Sequence, residues 1–176
     1  MILTRITDSK HADVEALVAL HRAEFSEYER FQHTRLLYNL IDGAQNMYFH
    51  SVFEDDKLAG FFIYWDLDDA YYIHFIAIFP EMRNHKIGQK ILDWVAGNLH
   101  KPVFLEVDIP FDEITQRRLG FYKRNGFAEI ANNDPHTLSS VRMGEHPLWL
   151  MSTVPVDNLE SYLIKIRDIV YYGTGV

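Results

Sequence analysis

Among the side chains of this 176-residue sequence that could carry acid–base chemistry are Tyr122, Glu106 and His74. A tyrosine hydroxyl, with an ordinary pKa of ~10, is protonated at neutral pH and can donate a proton. Glu106 lies in an apolar, strand-like stretch, where burying a carboxylate costs free energy unless the charge is paired or hydrogen-bonded. The ordinary pKa of a histidine, ~6.5, suits His74 to accepting a proton. Glu106 and His74 also fit hydrogen-bonded polar groups of a core, and Tyr122 also fits a tyrosine that caps a core helix. The residues alone leave these interpretations open.

A basic turn, Arg83-Asn84-His85-Lys86-Ile87-Gly88, could bind an anion. It joins a strand to a helix, and the first amides of a helix lie at its positive end without partners inside the helix. Phosphate is the natural ligand of such a position. Gly88 lets the backbone approach it closely because glycine has no Cβ. The alternative is a solvated turn with a basic surface.

The stretch from Tyr71 to Leu99 must position these groups. Aromatic and β-branched residues dominate up to Pro80, which has no amide hydrogen and therefore ends the predicted strand. Apolar residues then recur at four-residue spacing, which predicts a helix; they are Ile87, Ile91, Val95 and Leu99. The pattern predicts a strand that contains His74, then the basic turn, then the helix.

The rest of the chain alternates short strands and helices without an internal repeat or a linker, which predicts one mixed α+β domain over residues 1–176. Before the central stretch the predicted elements are a strand at Ile2–Ile6, a helix carrying Val14 to Phe25 and capped by Asp8 or Ser9, a helix at Arg30–Ile41 stopped by Gly43, and strands at Met47–Phe53 and Leu58–Leu67 joined at Asp55–Lys57, with a bulge at Gly60. After it come a strand at Val103–Val107, a helix at Asp112–Asn125 ended by Gly126, strands at Phe127–Ile130 and Leu148–Val154, and a closing helix at Asp157–Tyr171.

Composition narrows the classes of function. The absence of cysteine excludes disulfides, thiolate nucleophiles and cysteine zinc sites, and the histidines show no metal-ligand spacing, so no metal is expected. The formal net charge of -8 argues against nucleic acid as the main partner, although it could attract a cationic substrate. No apolar run is long enough to cross a membrane and no signal peptide is evident, so we expect a cytoplasmic protein without a membrane partner.

Three motifs, in order along the chain, resemble those of the GCN5-related N-acetyltransferase (GNAT) family. The basic turn resembles the family's R/Q-x-x-G-x-G/A motif, and Phe121-Tyr122-Lys123-Arg124-Asn125-Gly126-Phe127 resembles FYxxxGF. Phe75-Ile76-Ala77-Ile78 stands at the position of the family's cofactor-pairing strand. The resemblance, which covers nearly the whole chain, implies a GNAT fold: an α+β (α/β/α) arrangement with a mixed central sheet of about six to seven strands, splayed between the fourth and fifth strands and flanked by helices.

The resemblance implies acetyl-CoA as cosubstrate. Its pantetheine arm would pair with Phe75, Ile76, Ala77 and Ile78, and its pyrophosphate would lie on the turn and the first helical turn, formed by Arg83, Asn84, His85, Lys86, Ile87, Gly88 and Gln89. Lys86 departs from the family pattern, which has a glycine there. If the position needs a positive φ, lysine adds strain; if it does not, the ammonium adds a partner for phosphate. We favour the second interpretation.

Two further residues are candidates for cofactor contact. Thr115 stands where many family members have an asparagine that contacts the cofactor, and its side chain is shorter. Arg118 lies one helical turn before Tyr122, where it could contact a phosphate, orient the tyrosine or form an exposed ion pair.

The resemblance also assigns roles. Tyr122 would protonate the departing thiolate of coenzyme A, and Glu106 or His74 would take a proton from the attacking amine. The sequence therefore predicts an acetyl-CoA-dependent N-acetyltransferase that acts by direct attack on a primary amine of a small molecule or peptide. A non-catalytic acyl-CoA-binding module and a phosphate-binding protein unrelated to coenzyme A are the alternatives. Monomer and homodimer both stay open, and the acidic runs Glu24–Glu29 and Asp66–Asp69 could favour a cationic amine.

Overall fold

The computed structural model describes residues 1–27, 29, 31, 33–130 and 148–172. Its helices are Val14–Glu24 (α1), Thr34–Gly43 (α2), Ile87–Asn98 (α3), Glu113–Arg124 (α4) and Leu159–Lys165 (α5), with a 3₁₀ turn at Pro80–Met82 and a π-helix at Ile166–Tyr172. Its strands are Ile2–Ile6 (β1), Met47–Glu54 (β2), Lys57–Asp66 (β3), Tyr71–Ile78 (β4), Val103–Asp108 (β5), Ala128–Glu129 (β6) and Leu148–Ser152 (β7). The polar segment before Leu148, which contains His136 and His146, lies outside the described residues.

Seven strands of the described residues form a mixed sheet in the order β1-β2-β3-β4-β5-β7-β6. β5 pairs antiparallel with β7 but parallel with β4, as expected when a crossover helix joins two consecutive strands. The parallel pairing matches Tyr71–Ile73 with Val103–Leu105, three of the eight residues of β4. The mixed, helix-flanked sheet confirms the predicted fold class.

The chain divides into two compact units, Met1–Asp66 with His74–Gly97, and Leu67–Ile73 with Asn98–Val176. β4 supplies residues to both units. The single domain over residues 1–176 stays a prediction. Within the described residues, no helix is long and apolar enough to cross a membrane.

The predicted bulge at Gly60 is confirmed in the first unit. The register of β2 with β3 shifts between Val52, opposite Gly60, and Phe53, opposite Leu58, so that Ala59 is the extra residue. A Cβ on Gly60 would lie 2.0 Å from the carbonyl oxygen of Ala77 in β4. Only glycine permits this approach. The absence of a side chain at Gly60 therefore lets β3 lie close to β4, the strand predicted to bind the cofactor.

Two predicted helix starts in the first unit were wrong. Asp13 stands at the N-cap position of α1, where its side chain makes no capping hydrogen bond. Asp8 and Ser9 lie in a preceding turn, and Ser9 donates hydrogen bonds to the Asp42 carboxylate through its backbone N–H and its hydroxyl. α2 begins at Thr34 rather than Arg30, and Gly43 is its last residue. A residue that favours capping by type was here bound by a distant partner, which a local pattern does not reveal.

The second unit confirms α4, with a capping box between Asp112 and Thr115 at its start. Gly126, at φ 85°, follows its end in the left-handed conformation that a helix stop favours. The closing helix differs from the prediction. Asn158 caps α5 by accepting from the Ser161 amide, but α5 ends at Lys165 and the chain continues as the π-helix.

Candidate functional site

From Ile73 to Ile78, β4 alternates between fully buried and half-buried side chains, as a strand whose two faces have different surroundings does. Phe75 and Ala77 are buried, and Phe75 contacts the ring of Phe25 edge-on at 4.6 Å and that of His21 at 4.7 Å. Ile76 and Ile78 are half-buried on the other face. Because Gly60 of β3 has no side chain, the backbone of β3 can lie close to the carbonyl group of Ala77 in β4.

The turn after β4 has two non-glycine residues in the left-handed conformation, Asn84 at φ 67° and Lys86 at φ 58°. Ile87 and Gly88 then begin α3. Left-handed residues in such a turn aim successive backbone amides toward one point and create a concave anion-binding surface. The geometry corrects one expectation, because Lys86 does need a positive φ and a lysine carries strain there.

The side chains around the turn are engaged in the first unit. Arg83 donates to the carbonyl oxygen of Ile78 at 3.3 Å and forms an ion pair with Glu24 at 2.5 Å, which ties the turn to α1. Gln89 donates to Asp93 one turn further along α3, at 2.8 Å. His85 and Lys86 are exposed. The cationic side chain of Arg83 is thus already paired, whereas that of Lys86 is exposed.

His74 accepts a hydrogen bond at Nδ1 from the indole N–H of Trp65, 3.1 Å away. An indole only donates, so Nδ1 must act as the acceptor and the proton of neutral His74 is on Nε2. The ring also stacks on Phe75, with centroids 3.9 Å apart. The nitrogen of neutral His74 that could accept a proton is therefore already engaged, which does not favour a general base.

Tyr122 lies in the last turns of α4, half-buried in the second unit. Burial raises the pKa of Tyr122 above its usual value; the carboxylate of Asp108 adds to this, and the guanidinium of Arg118 opposes it. Arg118 forms an ion pair with Asp108 at 2.6 Å. The hydroxyl thus stays protonated at neutral pH, as a proton donor must.

The Thr115 hydroxyl has a structural role. It donates to the Asp112 carboxylate at 2.7 Å and accepts from the amides of Phe111 and Asp112, each at 3.1 Å. The side chain is buried, and its oxygen completes the first turn of α4. The cofactor contact of Thr115 stays a prediction.

Glu106 lies half-buried in β5 and accepts a hydrogen bond at Oε2 from the Tyr171 hydroxyl, 3.1 Å away. The Tyr171 hydroxyl is in turn 3.0 Å from that of Tyr72. Sequence reasoning singled out neither tyrosine. Sixty-five residues separate Tyr171 from Glu106, and no local pattern joins them.

The predicted site residues thus fall into two groups, each described within its own unit. The first unit brings together His74, the pairing strand and the basic turn; the second holds Tyr122, Arg118, Thr115 and Glu106. Sequence reasoning also missed Asp108, whose signal was its place two residues after Glu106 in an alternating strand. Within the described parts of the chain, no group of three or more His, Asp or Glu is arranged to hold a metal.

A family model described as acetyltransferase (GNAT) family matches residues 14–127. A solved structure from Bacteroides thetaiotaomicron, described as an acetyltransferase of the GNAT family, is 28% identical and has a TM-score of 0.84. The match covers 98% of this chain and 99% of the other. The search of curated proteins found no match.

More distant structures share the fold alone. A chimera of the spermidine N-acetyltransferase of Vibrio cholerae is 16% identical at a TM-score of 0.63, covering 93% of this chain and 99% of its own. An aminoglycoside 6'-N-acetyltransferase complexed with coenzyme A is 13% identical at a TM-score of 0.61, covering 89% and 99%.

Proposed function

The chain belongs to the GNAT family of acetyltransferases and is an acyltransferase, and we propose that it moves the acetyl group of acetyl-CoA to a primary amine. When bound, acetyl-CoA supplies an activated acyl carbon and a thiolate leaving group. Direct attack by the amine needs no nucleophilic side chain, which agrees with a sequence that has no cysteine. The residues of the chain must then bind the nucleotide end, deprotonate the amine and protonate the thiolate.

The observation that carries the proposal is the left-handed turn at Asn84 and Lys86, placed between β4 and α3. We propose that the amides from Asn84 to Gly88 bind the pyrophosphate, with the Lys86 ammonium as a second contact. The family uses acetyl-CoA, and a structure with the same fold holds coenzyme A. The backbone of Phe75–Ile78 is proposed to pair with the pantetheine arm, since the ladder with β5 uses Tyr71–Ile73.

Tyr122 is proposed as the general acid. A thiolate leaves more easily when a proton reaches its sulfur, and an acid whose pKa is raised by burial holds that proton until it is needed. The ion pair between Arg118 and Asp108 has the two charges that act on Tyr122 in opposite directions, so their effects partly offset one another. Arg118 is thereby proposed to orient and tune the acid rather than to bind phosphate.

Glu106 is proposed as the general base in preference to His74. The Trp65 indole occupies Nδ1 of His74, and Nε2 already carries the proton, so neither nitrogen can take a proton without breaking that hydrogen bond. A carboxylate has about four lone-pair sites on two oxygens, so it can take up a proton while it accepts the hydrogen bond from Tyr171. Glu106 therefore has the capacity that His74 lacks.

A cationic amine is the proposed class of acceptor. The net charge of -8 favours a cation, and the family fold includes proteins whose names specify spermidine and an aminoglycoside. The two acidic runs should attract a cationic amine less than their composition indicated, because two of their carboxylates are already paired. Glu24 pairs with Arg83, and Asp69 pairs with Lys165 at 2.6 Å. Polyamines and amino sugars are accordingly the first acceptors to test.

The test has two stages. Acetyl-CoA should raise the melting temperature, and thiol release should then occur with one or more amines of a panel of spermidine, kanamycin, amino acids and a peptide with a free amino terminus. Gly88→Glu should abolish the shift, because it places a carboxylate in the first turn of α3. Gly97→Glu is the matched control near the other end of α3, where a Cβ meets nothing within 4 Å. Failure of acetyl-CoA to raise the melting temperature would contradict the proposal.

A further inference from the structure

We propose that Tyr171, in the π-helix at the end of the described chain, is a positioning residue for the Glu106 carboxylate, with Tyr72 supporting it from β4. The inference rests on the proposed function, because it gives Glu106 the role of base. It adds a part of the chain, the closing helical segment, to the machinery of proton transfer. Tyr171 itself touches neither substrate in this scheme.

The direction of the hydrogen bonds follows from the chemistry of the groups. An ionised carboxylate only accepts, so the Tyr171 hydroxyl donates its proton to Oε2 of Glu106 at 3.1 Å. The Tyr171 oxygen can then accept from Tyr72, whose hydroxyl is 3.0 Å away. The chain of donors runs from Tyr72 through Tyr171 to Glu106, and hydrogen bonds that end on a charge are about twice as strong as neutral ones.

The sheet register brings two of these three residues to one face. Tyr72 is the partner of Phe104 in the parallel pairing, and Glu106 is two residues after Phe104, on the same side of β5. Tyr72 is 1% exposed, so its hydroxyl depends on a protein partner. The closing helical segment covers this face, with the Tyr162 ring 4.5 Å from that of Phe104.

The π-helix explains how one helical segment sets both tyrosines against that face. Tyr162 and Tyr171 are nine residues apart, about two and a half turns of an α-helix, so a regular helix would place them on opposite sides. From Ile166 to Tyr172 the chain widens to i→i+5 turns, which turn less per residue and rotate Tyr171 back toward the side of Tyr162. Such local widening occurs frequently at functional sites.

The chemical consequence is a fixed base. A glutamate side chain can adopt several rotamers, and the bond from Tyr171 holds its carboxylate in one. Removing the Tyr171 hydroxyl should slow the proton transfer without changing how acetyl-CoA binds.

The experiment is a double-mutant cycle on the rate of acetyl transfer. The rate is measured as thiol release with the panel amine that gives the highest value. Glu106→Gln should lower kcat by about 10²-fold or more, the usual contribution of a general base. Tyr171→Phe should lower kcat about tenfold and leave the KM for acetyl-CoA within twofold. In the Glu106→Gln background, Tyr171→Phe should cause no further loss, because its effect acts through the carboxylate.

Tyr162→Phe is the matched control, since it removes a hydroxyl from the same helical segment and keeps the ring on Phe104. It should leave kcat unchanged. Tyr72→Phe should give a smaller loss than Tyr171→Phe, because it acts one hydrogen bond further from the base. A loss that came from a damaged fold would persist in the Glu106→Gln background, whereas a positioning effect would not.

The outcomes separate the two claims. If no amine releases thiol, the proposed function as a whole is contradicted. If Glu106→Gln keeps full activity, the proposed role of Glu106 as base is contradicted. Either result also overturns this inference. If Glu106→Gln is impaired but Tyr171→Phe is neutral, or lowers kcat equally in both backgrounds, the general base stands and the positioning role of Tyr171 is overturned.

Discussion

The indole N–H of Trp65 donates a hydrogen bond to Nδ1 of His74 at 3.1 Å. This contact engages the nitrogen of His74 that would otherwise accept a proton from an amine. By residue type alone, His74 and Glu106 were equally good candidates for the general base. The partners of the two side chains decide between them.

His74→Gln should therefore lower kcat less than tenfold. The amide keeps a polar group beside Trp65, and no proton transfer is lost if His74 is not the base. The measurement is kcat for thiol release with saturating acetyl-CoA, beside Trp65→Phe, which removes the indole donor. A loss of about 10²-fold in His74→Gln alone would return His74 to the catalytic role.

The backbone strain at Lys86 should affect the stability of the protein, and its charge should affect the affinity for acetyl-CoA, so the two effects can be measured separately. A lysine at φ 58° pays about 1–2 kcal/mol relative to a right-handed residue, and glycine does not. Lys86→Gly should therefore be about 1 kcal/mol more stable than Lys86→Met in urea unfolding, since methionine removes the charge and keeps the strain. Both variants should bind acetyl-CoA several-fold more weakly, if the ammonium contacts phosphate. Equal stability of the two would show that the turn relaxes without cost.

Gly60→Ala should disturb β4 directly. The new methyl group would lie 2.0 Å from the carbonyl oxygen of Ala77, so the backbone must move, at a cost of about 1–3 kcal/mol or more in the free energy of unfolding. Affinity for acetyl-CoA should fall as well, because the displaced residue belongs to the proposed pantetheine edge. Gly97→Ala in α3 is the control, where a Cβ has open space and a gain of ~0.5–1 kcal/mol is expected. Unchanged binding in Gly60→Ala would place the cofactor away from Ala77.

His50 should make the protein less stable in mild acid. Burial, followed by the positive charge of Arg5, lowers the pKa of His50 to about 4 from its ordinary value of 6.5. Between these values the unfolded chain takes up a proton that the folded chain does not. Stability should therefore fall by about 3 kcal/mol as the pH decreases from ~6.5 to ~4, with no further loss from this group below that.

The check is the difference in unfolding free energy between the parent and His50→Phe, measured from pH 7 to pH 4. The phenylalanine replaces the imidazole in a stack whose next ring, Tyr64, is 5.7 Å away and nearly parallel. The advantage of the parent at pH 7 should disappear on acidification. His33→Gln, at an exposed position, should follow the parent throughout. A difference that does not depend on pH would show that His50 titrates normally.

Periodicity predicted much of this structure because its signals are local. The alternation up to Pro80, the four-residue spacing from Ile87 and the stop at Gly126 each depend on neighbours in the chain, and the structure has β4, α3 and the end of α4 at those places. Family motifs added the basic turn and Tyr122, whose roles await measurement.

What sequence reasoning missed depends on distant partners or on backbone conformation. Ser9 was a good cap by type, but Asp42 binds it; Lys86 looked well suited to a right-handed turn, yet its φ is positive. The π-helix after Lys165 has the apolar spacing of an ordinary helix and departs from it only in its hydrogen bonding. Tyr171 is therefore visible as a partner of Glu106 only once the chain is folded.

The central claim is acetyl transfer to an amine with Tyr122 as the proton donor, and Tyr122→Phe tests it most directly. The measurement is kcat for thiol release with saturating acetyl-CoA and the best panel amine, beside acetyl-CoA affinity and melting temperature, with Tyr162→Phe as control. Because phenylalanine keeps the ring and removes the hydroxyl that would donate the proton, kcat should fall by ~10²-fold or more while affinity stays within about twofold. Unchanged turnover in Tyr122→Phe would contradict the account.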